Sequence, residues 1–131
     1  MTASILSKSN CKFKTITPNT LDFGTINPTS STSATATLAT WTFACGGSAP
    51  TASFAITADN GLHNAGSIKQ MQHSTVTTEL LPYSLDVSPA TGNAARGAIV
   101  TLTITGTVLP ADFKNAIAGA YSDKVKVTLT P

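Results

Sequence analysis

The chain has 131 residues, enough for one domain with one core. Only 11% of them are charged and the net charge is +2, so no strong field exists to draw nucleic acid or acidic lipid. With 41% apolar residues it is no disordered tail, and a single Glu among 23 Thr, 13 Ser and 18 Ala excludes a helix bundle or coiled coil.

Threonine's branched β-carbon suits a pleated surface, so the composition points to an all-β domain with a hydroxyl-rich outer face. No run approaches the length of a membrane span. The first ten residues lack the apolar stretch of a signal peptide, as expected of a mature secreted chain.

Period-two alternation recurs along the whole sequence. Met1, Ala3, Ile5 and Ser7 form a weak series on an arm of residues 1–10, ahead of a sandwich domain over 11–131. Cys11, Phe13 and Thr15 start the first strand of that domain, and Leu21-Asp22-Phe23 then meets a bend at Gly24. The odd positions Thr37, Ala39, Trp41, Phe43 and Cys45 are expected to share one face, with Trp41 in the core. Ala52, Phe54, Ile56 and Ala58 make another strand, stopped by the turn Asp59-Asn60-Gly61.

Ile68 to Met71 reads as a short edge strand, and Leu81, Tyr83, Leu85 and Val87 as a longer one. Ser88 to Gly97 reads as a loop. Leu102, Ile104, Gly106 and Val108 then alternate against Thr101, Thr103, Thr105 and Thr107. Ala111 to Ile117 holds the one plausible helical turn, and Tyr121, Val125, Val127 and Leu129 form a closing strand. Six to eight short strands with frequent turns describe a β-sandwich. Nothing follows to cover the closing strand, so one sheet edge is expected to be open to a strand from another chain.

Cys11 and Cys45 lie 34 positions apart, with no CxxC spacing and no His nearby, which argues against zinc. In a secreted chain they form one disulfide; in a cytosolic one, two buried thiols. The acids Asp22, Asp59, Glu79, Asp86, Asp112 and Asp123 are scattered, and no nucleophile elbow surrounds any Ser. His63 and His73 are expected to face solvent from a loop. These residues predict no catalytic group, no metal, no cofactor and no small-molecule substrate.

Four pieces of sequence carry a resemblance. They are Cys11 with Leu21-Asp22-Phe23-Gly24-Thr25-Ile26-Asn27-Pro28, Trp41-Thr42-Phe43-Ala44-Cys45, and Lys69-Gln70-Met71 with Leu81-Pro82-Tyr83-Ser84-Leu85. The fourth is Gly106-Thr107-Val108 through Gly119-Ala120-Tyr121-Ser122-Asp123-Lys124-Val125-Lys126-Val127-Thr128-Leu129. Together they resemble the spore coat protein U family, the domain of archaic (Csu-type) chaperone–usher pilus subunits.

The resemblance implies an incomplete immunoglobulin-like β-sandwich, completed by a donor strand from a neighbouring subunit. Its implied partners are a periplasmic pilus chaperone, an outer-membrane usher and copies of the chain in a linear filament. Its implied location is the periplasm in transit and then the cell surface, as a fimbrium serving adhesion and biofilm formation. Ala3, Ile5 and Ser7 would then be the donor strand, and Phe13, Val125, Val127 and Leu129 the acceptor groove. A strand of ten residues reaches about 33 Å, enough to span a sandwich edge. Burying Ile5 should contribute roughly 1.5–3 kcal/mol, and main-chain hydrogen bonds the rest. A spore- or cell-coat structural protein of the same family is an alternative reading. A carbohydrate-binding, adhesin-like module built around Trp41 is another.

Overall fold

The computed structural model describes residues 2–3 and 9–130, with side chains from residue 10 onward. Ten strands and one helical turn follow in the order β1 (Thr2–Ala3), β2 (Ser9–Thr15), β3 (Ala34–Gly47), β4 (Thr51–Ala58), β5 (Lys69–His73), β6 (Leu80–Ser88), β7 (Thr91–Ala95), β8 (Ile99–Val108), α1 (Pro110–Phe113), β9 (Tyr121–Ser122) and β10 (Val127–Thr130). They form two sheets, ordered β2-β3-β8-β6-β5-β9 and β1-β10-β4-β7. The first four strands of the larger sheet take the A-B-E-D order of an immunoglobulin sandwich, and β4 beside β10 takes its C-F pairing.

The core lies between the sheets. Phe43 of β3 meets Phe54 of β4 edge to face, with ring centroids 4.8 Å apart. Leu102 and Ile104 of β8 join them from the larger sheet, and Ile56, Val127 and Leu129 from the smaller. Cys11 and Cys45 are directly opposite in the β2–β3 register and are joined as a disulfide, buried at the end of this core. That settles the two cysteine alternatives in favour of the bonded pair. A second cluster, Met71, Leu81, Val108 and Phe113, closes the other end with Phe23 and Tyr83 packed on it.

The threonines of β8 face away from the core as expected, paired across to Thr35 and Thr37 of β3 and to Ser84, Asp86 and Ser88 of β6. The parity of β3 is different from the expectation. Trp41, Phe43 and Cys45 do point inward, but Thr37 and Ala39 are exposed and Leu38 is buried. The register of β3 on β8 shifts between Leu38 and Trp41, and such a bulge reverses the alternation by adding one residue.

Four other expectations are corrected, three of them in the strand assignment. Residues 91–95 are a strand, not loop: β7 pairs with β4, and Gly92 sits where a Cβ would come 3.1 Å from the Phe54 ring. Small residues without alternation carry this strand, because the bulk that fills the space belongs to Phe54. β5 is not an edge, since β9 pairs on its free side through Gln72–Ser122 and His73–Tyr121. The closing segment is two strands in different sheets, β9 and β10, separated by residues 123–126.

His73 is buried at 6% exposure instead of facing solvent. Its Nδ1 accepts from the backbone N–H groups of Thr75 and Val76 at 3.1 and 3.0 Å, which leaves Nε2 to donate to the Ala118 carbonyl at 2.8 Å. The ring thereby ties the 74–76 turn to the loop before β9, and Tyr121 stands edge-on to it.

Candidate functional site

β10 is the strand that the sequence marks as the place of contact. Val127 and Leu129 point into the core, Leu129 with no exposed surface, while Thr128 and Thr130 face outward. One flank of β10 pairs antiparallel with β4, Val127 opposite Ala58 and Thr130 opposite Ala55. The other flank takes β1 in parallel, Thr2 opposite Thr128 and Ala3 opposite Leu129. The position beside the F-equivalent strand, which the G strand fills in a complete immunoglobulin sandwich, is therefore held here by two residues of the N-terminal arm.

The expected groove residues come together. Val127 and Leu129 belong to the main core, and Phe13 and Val125 are half-buried against it. Phe13 reaches it from β2 and makes an edge contact with Trp41, centroids 6.2 Å apart. Of the expected donor residues, Ala3 is placed by its backbone on the β10 edge, and Ile5 and Ser7 lie outside the described residues.

Two aspartates hold the segment leading into β10. Asp59 Oδ1 accepts from the backbone N–H of Gly61 and of Lys126, both at 3.0 Å, and the Asp59 N–H donates to the Lys126 carbonyl at 3.0 Å. Asp123 Oδ1 accepts from the Leu62 N–H at 2.9 Å, and Oδ2 from the Tyr83 hydroxyl at 2.6 Å. Burial, and then this bond to a carboxylate, pushes the Tyr83 phenol above its ordinary value. Sequence reading took Asp59 only as a turn residue and Tyr83 only as an alternating strand residue. Their joint use as anchors depends on β6 and the 59–62 turn meeting at residue 123, a juxtaposition no local pattern reveals.

Trp41 is 5% exposed, and its indole N–H donates to the Pro18 carbonyl at 2.6 Å, so its ring face is spent on the core. Two open depressions lie on the described surface, of about 340 Å³ beside Ile68, Pro82 and Leu109 and about 280 Å³ beside Lys12, Lys14 and Ile99. Among the described residues no three His, Cys, Asp or Glu side chains converge.

A disulfide-stapled sandwich of this size, with sparsely charged strands and a sheet edge paired with two residues of the N-terminal arm, has the architecture of the pilin-like class. Residues 1–128 match the Spore Coat Protein U domain, and the chain belongs to that family. Its role is accordingly of the general pilus- or coat-subunit kind. No curated protein matches the chain.

Proposed function

We propose that the chain is a structural subunit of an archaic chaperone–usher pilus, linked to its neighbours by donor-strand exchange. The observation that carries this reading is the β10 edge, which accepts a strand from the arm and not from the body of the sandwich. Backbone pairing at such an edge supplies affinity with little demand on side chains, which suits an arm whose one large donor residue is Ile5. In this reading a periplasmic chaperone lends the strand before secretion, an outer-membrane usher exchanges it for the arm of the next copy, and the product is a surface fimbrium for adhesion and biofilm growth. Scarce charge lets copies pack closely without mutual repulsion. The burial of Trp41 favours the pilus reading over a sugar-binding module.

Expression of the chain with its secretion partners, followed by negative-stain microscopy and electrophoresis without heating, tests the reading. Long thin fibres and detergent-resistant ladders are expected. Deleting Met1 to Lys8 should abolish both, and Ile5→Asp should weaken them. Fibres that still grow from the deleted protein would overturn the donor-arm reading, and amorphous sheets of intact protein would favour a coat role.

A further inference from the structure

β1 runs parallel to β10, whereas the other strand pairings among the described residues are antiparallel. β2 begins in the opposite sheet at Ser9, across from Gly47. In sequence, only five residues separate the end of β1 at Ala3 from the start of β2 at Ser9.

We propose that the β10 edge is an acceptor site filled in cis. The free chain plugs the edge with its own Thr2–Ala3, and the intermolecular partner is the same N-terminal segment of a second copy, which must displace the plug. The proposal rests on the donor-strand reading and adds to it an order of events: uncapping precedes capture.

The physical case has two sides. A strand tethered through so short a linker meets its edge at an effective concentration on the order of millimolar, so in dilute solution the cis strand outcompetes one from another chain. This shields backbone groups that would otherwise recruit any extended segment. Yet the plug covers only Thr128 and Leu129 of the four-residue strand Val127–Thr130, and parallel pairing is slightly weaker per residue than antiparallel. A donor aligned along all of β10 makes more bonds. The plug is thus strong enough to keep a lone subunit closed and weak enough to be exchanged.

The test uses a synthetic peptide of residues 1–10 labelled with fluorescein, its capture followed by fluorescence anisotropy. Three proteins are compared: the full chain, a variant lacking residues 1–8, and the full-length double variant Thr2→Pro, Ala3→Pro, in which the plug loses its donors without losing its length. Capture by both variants should be about tenfold faster or more than by the full chain, in proportion to the open fraction. Amide exchange at residues 128–130 should be faster in both. Equal capture rates and equal exchange in all three overturn the cis plug while leaving donor-strand capture intact. No capture by any of them, with the disulfide and the buried Trp41 emission preserved, overturns the donor-strand reading itself and the plug with it. Should the truncated variant fail to fold, the double-proline variant decides alone.

Discussion

The Tyr83 hydroxyl donates to Asp123 Oδ2 at 2.6 Å, joining β6 of one sheet to the linker that runs into β10 of the other. Asp123 Oδ1 holds the Leu62 N–H at the same time, so one carboxylate fastens three parts of the chain. Asp123→Ala removes the acceptor for both and should cost about 2–3 kcal/mol in urea unfolding. Asp123→Asn keeps one oxygen and should cost less. An alanine variant as stable as the parent would show that water replaces the carboxylate without loss.

The raised Tyr83 phenol gives this bond a pH signature. Folding favours the protonated hydroxyl, so the stability it confers is complete below the ordinary tyrosine range near pH 10 and is lost as the pH climbs beyond it. Tyr83→Phe should therefore be less stable than the parent at pH 7, and the gap should narrow above about pH 10. A gap that widens on the alkaline side would contradict this sign.

Reduction of Cys11–Cys45 opens a loop whose ends are 34 residues apart. In the chain-entropy account its closure is worth about 3–4 kcal/mol, so a thermal scan with and without reductant should differ by roughly 10–15 °C. Because Cys11 sits in β2, the loosened end should be the one from which the arm departs.

Gly106 of β8 faces inward beneath the segment before β3. A Cβ there would lie 2.6 Å from Leu21 Cδ2 and 2.7 Å from Phe23 Cζ. Gly106→Ala should destabilise by about 1–3 kcal/mol through overpacking. Adding Leu21→Ala should recover part of that loss, a non-additivity that denaturant unfolding can measure. Purely additive losses would mean that Leu21 and Gly106 do not share the space.

The strands with alternating bulk were legible in the sequence: β4, β6 and β8, with the hydroxyl face of Thr101 to Thr107 turned outward. Phe13, Val125, Val127 and Leu129, named as an acceptor groove only through the family resemblance, pack on one core. Features that depend on a partner were not legible. β7 is visible only as the complement of Phe54, the β3 bulge only against β8, and the burial of His73 only once the 74–76 turn and Ala118 converge on its two nitrogens. Likewise Tyr121 and Val127 alternate as if on one strand, and it takes the aspartate anchors to show that the chain changes sheets between them.

That change of sheets bears on how the molecule is made. β5 receives β9 and β4 receives β10, so each sheet is finished by residues from 121–130, long after its other strands have been synthesised. Before these residues emerge, the nascent chain can assemble β2, β3, β8 and β6 into a sheet, but the inner face of β4 has no β10 beside it. Emergence of residues 121–130, and not the formation of any earlier hairpin, is then the event that commits the chain to its native state. A chain stopped short of Val127 would remain a substrate for proteases and chaperones.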